Sequence, residues 1–444
     1  DTSLAGPGRI LNFPPDRSIG NVMYALGPKE KWEEYQTQPT CMTYWSWQEL
    51  GSARGKVTIP EGAVVKLVLS ASGANDPSWV LGLEPDDIYE IQIDGFATGF
   101  QCGDRQIEQL CDLTGLKALK VYEMSFTDRA AKSLERLRDL QVFHSRKIQL
   151  TNKGIKSIAR LKTLESLILS MEEIPGLNDA GLAELAPLTS LRELNIHSLA
   201  IKGPGLKHLA RLPNLTIFNA GGETTTDRYL EALSHVKQLK TIRVGSSLIT
   251  DAGLKYLVEL PELEKLDIRR CLHLTNAGMQ HVKKLNNLQY LDITLDFGPL
   301  PDTHITQEGV CELTGLENMT DLILNNIPMN DEGCRKISEM RNLKHLWING
   351  GDFTDTGLAH LSKLTDLEHL ELVNTKITDA GLKSLLACKE LRQLHISTSN
   401  PITDSGLETL AKLTNLQVLF LPYNRFPQMT TAGISKLNAL SELR

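Results

Sequence analysis

The chain has no apolar run approaching 18 residues, so no segment can span a bilayer as a helix. It has no basic surplus either. Lys and Arg number 47 against 54 Asp and Glu, a formal charge of -7, which excludes wholesale neutralisation of nucleic-acid phosphates or of an anionic membrane. The seven cysteines, from Cys41 to Cys388, are odd in number and include no C-x-x-C pair, which argues against a disulfide framework and against structural zinc. Catalytic signatures are missing as well. There is no phosphate loop and no H-E-x-x-H, and Gly51-Ser52-Ala53-Arg54-Gly55 puts alanine where a nucleophile elbow needs serine. A non-enzymatic protein without a cofactor is the expectation. The chain opens on Asp1 with no basic start followed by an apolar stretch, so a secretion signal is expected to have been removed or to lie outside this sequence. What is present, 41% apolar and 23% charged residues, is a globular balance that excludes disorder as the main state.

A phrase L-x-x-L-x-L organises most of the 444 residues. Its first apolar residue recurs at Val64, Ile88, Leu116 and Leu140, and later at Leu263, Leu343, Leu367, Leu391 and Leu440, mostly 24 residues apart, through sixteen registers. A second phrase follows each one, clearest in Ile249-Thr250-Asp251-Ala252-Gly253-Leu254, where Leu254, Leu257 and Leu260 recur every three positions. The period changes from that of a strand to that of a helix. A strand that buries Leu266 and Ile268, followed by a helix that buries three leucines, cannot close a core alone, whereas stacked copies can. The expected architecture is therefore an α/β solenoid over residues 62–444, with a parallel sheet on its concave face and helices on its convex face.

The T-D-x-G-L-x-x-L unit, repeated at Thr378-Asp379-Ala380-Gly381-Leu382 and Thr403-Asp404-Ser405-Gly406-Leu407, resembles the 24-residue leucine-rich repeat of bacterial proteins. The resemblance implies a curved right-handed superhelix, a binding scaffold and an exported or cell-envelope protein. Nine recurring aspartates (Asp104, Asp128, Asp179, Asp227, Asp251, Asp331, Asp355, Asp379 and Asp404) are read as helix caps rather than as a functional acidic row. The ninth position of the strand phrase carries Ser247, Cys271, Thr375, Ser399 or Asn424, so small hydroxyls and thiols replace an asparagine ladder. Cys334 and Cys388 replace helix leucines and read as core residues.

Residues 1–61 lack the phase and carry Trp32, Tyr35, Tyr44, Trp45 and Trp47 in a protein only 5% aromatic, which suits a cap over the first repeat's open end. Trp45 and Trp47 also have the makings of a sugar-stacking platform. Longer repeats mark insertions around Phe96–Gln101, Glu172–Leu177 and Leu295–His304, the last offering apolar tips at Phe297 and Leu300. The phrase is still running at Arg444, so an open C-terminal edge meeting a partner, or a continuing chain, is a further expectation.

The third, fifth and seventh residues of each strand phrase should face away from the core. Two clusters result. Arg243, Lys265, Asp267, Arg269, Arg270 and Asp292 make a charged patch suited to fork-like pairing with a carboxylate-bearing partner, or to pairing with itself. His345, Trp347, His369, Glu371 and His395 lie on three neighbouring strands, as a contact surface or as ligands for a divalent metal. The expected function is protein or peptide binding through the concave face and the 295–304 insertion. Small-ligand or metal binding at His345/His369/Glu371/His395, and a structural subunit assembling through the C-terminal edge, are the alternatives.

Overall fold

A computed structural model describes residues 8–26, 47–94, 103–122, 125–146, 148–169, 176–222, 224–295, 304–398, 400, 402–421 and 429–443. Phe297 and Leu300, the aromatics from Trp32 to Trp45 and nearly all of the three insertions lie outside the described residues. The chain forms two compact units, Asp1–Ala220 and Gly221–Arg444.

The first unit opens with four short strands, β1 (Ile10–Asn12), β2 (Gly20–Ala25), β3 (Gln48–Ser52) and β4 (Lys56–Thr58). β1 pairs antiparallel with β4. The first repeat strand, β5 (Val64–Leu69), takes β2 along its edge in antiparallel register from Gly20↔Leu69 to Ala25↔Val64. That edge is thus paired rather than left as a template for another chain. Leu11, Phe13, Ile19 and Val22 are buried with it. Strands β6 (Glu90–Asp94), β7 (Ala118–Tyr122), β8 (Val142–Ser145), β9 (Ser166–Leu169), β10 (Glu193–Ile196) and β11 (Ile217–Asn219) follow β5 in parallel, in chain order.

The second unit repeats the scheme with β12 (Thr241–Arg243), β13 (Lys265–Asp267), β14 (Tyr290–Asp292) and β15 (Asp321–Met329). β16 (His345–Gly351), β17 (His369–Thr375), β18 (Gln393–Thr398) and β19 (Val418–Phe420) complete it, every neighbour parallel. Each strand is followed by a helix of only one or two turns, which often tightens into a 3-10 turn, as Asp251–Leu254 does into Lys255–Glu259. Leu254, Leu257 and Leu260 are all buried there, as the threefold spacing requires. Each such leucine contributes about 1.5–3 kcal/mol by leaving water, but only when the next coil covers it. The eighth position of the phrase turns left-handed in several coils. Gly350, Asn326 and Asn374 adopt it readily, whereas Ser246 and Arg270 take φ values of 56° and 59° against the steric preference of their side chains.

The aspartate row has a different role from the one expected. Threonine is the helix cap: Thr250 Oγ1, for example, accepts from the Ala252 amide. The aspartate that follows reaches the next coil instead. Asp227 Oδ1 accepts the Thr250 amide at 2.8 Å and its Oδ2 accepts the Thr250 hydroxyl at 2.7 Å. The same two-pronged bond joins Asp104 to Thr127, Asp128 to Thr151, Asp251 to Thr275, Asp331 to Thr354 and Asp355 to Thr378. Asp379 holds Thr403 and Asp404 holds Thr430 in the same way, while Asp179 takes the Lys202 and Gly205 amides. Where aspartate is replaced, Asn152, Asn276 and Gln307 accept the equivalent amide. The carboxylate therefore satisfies orphan amides one coil away.

This ladder explains the glycine of T-D-x-G. A Cβ on Gly381 would sit 2.2 Å from Asp355 Oδ1, and one on Gly253 2.3 Å from Asp227 Oδ1. The missing side chain is the space that the previous coil's carboxylate occupies. Asp355→Ala should cost about 1–3 kcal/mol in urea unfolding by stranding the Thr378 amide. Gly381→Ala should cost a similar amount by overpacking. The clash needs both partners, so the double variant should lose clearly less than the sum, and strict additivity in this double-mutant cycle would contradict the ladder.

Candidate binding face

In the second unit, parallel register lines up the side chains opposite the helices. His345 faces His369 and Gln393 across β16–β18, while Trp347, Glu371, His395 and Phe420 align across β16–β19. Strand alternation puts these on one side, with Leu346, Ile348, Leu370 and Leu372 buried on the other. The rings touch: Trp347 and His369 have centroids 4.7 Å apart, His345 lies 6.0 Å from Trp347, and His395 meets Phe420 edge-on at 4.4 Å. Phe420 is 53% exposed and Val418 44%, while the other rings are half-buried.

Carboxylates hold two of the imidazoles. His345 Nδ1 lies 2.6 Å from Asp321 Oδ1 on β15, and His395 Nδ1 lies 3.4 Å from Glu371 Oε2. The hydrogen bond to Asp321 raises His345 above the ordinary histidine value, against the opposing effect of burial. Burial, reinforced by His345 and His395, lowers His369 to about 4. The sequence foresaw His345, Trp347, His369, Glu371 and His395 together, and the structure adds Asp321 and Phe420. Imidazoles tied separately to Asp321 and Glu371 do not converge on one point. No group of three or more His, Cys, Asp or Glu arranged to hold a metal ion occurs among the described residues.

The charged patch is largely self-satisfied. Asp267 and Asp292 are sunk into the sheet at 3% exposure, so they are not the open carboxylates that alternation suggested. Arg269, two residues along the same strand face, forks onto Asp267 through Nη2 at 2.6 Å and Nε at 3.1 Å, with Asp292 at 3.9 Å. Burial, with Asp267 alongside, pushes Asp292 above the usual carboxylate range, despite the Thr294 amide that it accepts. Arg243 is aligned with Asp267 on the neighbouring strand, and Lys265 is exposed. Arg270 lies past the end of β13 at the left-handed turn rather than on the sheet face. Of the five described thiols, all outside disulfides, Cys111, Cys271, Cys334 and Cys388 are buried and Cys311 is half-buried, and burial pushes each of them up, away from reactivity. Cys271 Sγ lies 3.2 Å from Ser247 Oγ and stitches the ninth-position row.

In the first unit the sequence missed a buried polar layer. Glu90 is fully buried, with Lys66 Nζ at 3.0 Å and Lys120 Nζ at 3.1 Å from the same Oε1, and Lys66 lies over the Trp47 ring. Burial opposes the charge on Glu90, yet Lys120 and Lys66 together hold it below the usual carboxylate range. Burial lowers Lys66 in turn, although Glu90 pulls it up. Nearby, His144 Nε2 lies 2.9 Å from Ser166 Oγ, which donates to Glu193 Oε2 at 2.7 Å. The serine has one proton and gives it to the carboxylate, so the imidazole must donate its own. Burial, then Lys120 and Arg146, keeps His144 neutral. A serine that accepts from the imidazole and is itself buried is not an activated nucleophile. The signal that could have revealed this layer is the third position of each phrase, where Lys66 and Glu90 stand in adjacent repeats, as do Ser166 and Glu193.

No family profile and no curated protein matches the chain. Solved structures do. A leucine-rich repeat protein of Leptospira interrogans superposes with a TM-score of 0.51 at 18% identity, over 85% of this chain and 88% of its own. The fold is a leucine-rich repeat solenoid. An internalin from Listeria monocytogenes aligns at 20% identity over 70% of this chain and 81% of its own, with a TM-score of 0.47. The leucine-rich repeat ectodomain of an Arabidopsis thaliana membrane receptor kinase aligns at 15% identity over 81% and 50%, with a TM-score of 0.38. No helix among the described residues is long and apolar enough to cross a membrane.

Two outcomes follow. Glu90→Gln should destabilise the first unit by about 3–5 kcal/mol, because it leaves the buried Lys66 and the half-buried Lys120 uncompensated, and an equilibrium unfolding change under 1 kcal/mol would contradict the triad. Histidine titration by NMR should place His345 above about 6.5 and His369 near 4. Folding stability from His345 is then present below about 6.5 and lost as pH rises through its raised value. That from His369 is present above about 6.5 and lost as pH falls towards 4.

Proposed function

We propose that this chain is a non-enzymatic protein- or peptide-binding scaffold, built from 24-residue T-D-x-G-L repeats over residues 62–444 and capped by residues 1–61. The observation that carries the reading is a stripe of two groups of contacting rings, Trp347 with His369 and His345, and His395 with Phe420, half-exposed on a sheet face. Aromatic side chains on rigid strands give up little conformational freedom on binding and are over-represented among residues that dominate interface energies. Asp321 and Glu371 orient the imidazoles before a partner arrives, which lowers the ordering cost. Lys265 and Arg243 extend the surface towards a carboxylate-bearing segment, with Phe297 and Leu300 assigned to its rim. The cap is supported by the antiparallel β2–β5 pairing, which occupies the edge of the first repeat strand. The exported or cell-envelope setting rests on the resemblance of the repeats alone.

Selection of a random peptide display library on the wild-type protein tests this reading. Enriched peptides should bind the wild type and lose at least about tenfold in affinity to Trp347→Ala and Phe420→Ala, each removing an interface ring. Failure of any sequence to enrich, or enriched peptides that bind all three proteins equally, would contradict the assignment to this face.

A further inference from the structure

The second unit holds a solvent-open hollow of about 600 Å³ at the carboxyl ends of β15 and β16, apart from the ring stripe. Gly350 and Gly351 have no side chains to fill it, and the exposed Pro328 supplies its apolar wall, with Met329 buried behind it. The remaining lining is amide, hydroxyl and carboxylate, and no lysine, arginine or histidine is among it.

The three amides share a feature. Each is fixed at one end by a bond inside the protein. Gln307 Oε1 accepts the Asn330 amide at 2.8 Å, Asn330 Oδ1 accepts the Gly333 amide at 3.1 Å, and Asn374 Nδ2 donates to Asn349 Oδ1 at 3.0 Å. The other ends, two NH2 groups and one carbonyl oxygen, make no hydrogen bond among the described residues. The carboxylates are half-used in the same way. Glu308 accepts the Thr306 hydroxyl on Oε2, and Asp352 meets Lys376 through Oδ1 at 3.0 Å. Backbone constraint adds rigidity, because Asn374 sits at φ 58° and Gly350 at φ 96°.

We propose that this hollow is a binding site for a neutral carbohydrate of one or two sugar units. Both donors (the Gln307 and Asn330 NH2 groups) and acceptors (the Asn374 carbonyl, Glu308 and Asp352) are present in the lining, which suits hydroxyl groups that must give and accept hydrogen bonds at once. A volume near 600 Å³ lies within the range of small-ligand sites, and the exposed Pro328 ring can receive the C–H face of a sugar. The two carboxylates, of which only Asp352 has a cation beside it, Lys376, disfavour sulfated or carboxylated ligands. A polyol is bound by orientation of fixed groups rather than by charge, so the internally tied amides matter more than their number. The proposal is independent of the peptide-binding reading, since it uses none of the stripe rings.

Saturation-transfer NMR with maltose, cellobiose and lactose tests it, with N-acetylneuraminic acid and triglycine as comparators. At least one neutral disaccharide should receive saturation from the wild-type protein. The signal should fall at least about tenfold in the double variant Asp352→Ala with Asn374→Gly, glycine being chosen to keep the left-handed backbone. Trp347→Ala should bind the sugar as the wild type does, which separates this site from the stripe. An unchanged thermal midpoint of the double variant excludes unfolding as the cause of a loss. No transfer to any neutral disaccharide, transfer undiminished in the double variant, or transfer to triglycine or N-acetylneuraminic acid alone would overturn the proposal.

Discussion

The structure depends on a carboxylate that bonds forwards, into the next coil. Each helix here is one or two turns long, too short to persist in water on its own. Its first amides have no partner within it. The aspartate of the preceding coil satisfies one of them together with the threonine hydroxyl, while the threonine caps its own helix. The T-D-x-G phrase thus does three things at once: it starts a helix, holds the next coil in register, and leaves the space in which the previous coil's carboxylate sits. Leucine burial supplies the larger free energy but is non-directional, whereas the ladder sets the offset at which the coils stack.

Much of this was legible from the chain, and the limits are instructive. The repeat period and the buried leucines could be read because they depend on spacing alone, as at Leu254, Leu257 and Leu260. The role of Asp227 could not, because its partner Thr250 lies a whole coil away and a reading within one repeat offers capping as a sufficient reason. Alternation puts Asp267 and Asp292, and equally Glu90, which the sequence reading did not single out, on the face opposite the helices, but it carries no information about depth. Those side chains are buried because neighbours such as Arg269, Lys66 and Lys120 fold onto them. The Asp267–Arg269 fork was in principle readable, since residues two apart on a strand share a face. The hollow near Gly350 was not, because its lining comes from helix caps and strand ends in several coils.

The two units use the same face differently. In the first, charges and hydroxyls at the third and fifth positions close on one another, Glu90 with two lysines and His144 with Ser166 and Glu193. In the second, from β16 onwards, the same positions carry rings that remain half-exposed, with His345 and His395 tied to carboxylates. One backbone thereby carries both a self-satisfied polar layer and a half-exposed group of rings, with residue type and pairing deciding which.

The account stands most directly on the forward bond of the aspartate ladder, and residue-resolved amide hydrogen exchange measures it. The cap amides of Thr127, Thr250, Thr354 and Thr378 precede their helices and would exchange quickly if only their own coil held them. The account predicts protection comparable to the neighbouring strand amides, because each donates to the previous coil's aspartate at 2.7–2.8 Å. Exchange at the rate of open turn amides, with the strands still protected, would show that the coils are held by leucine packing alone and would contradict it.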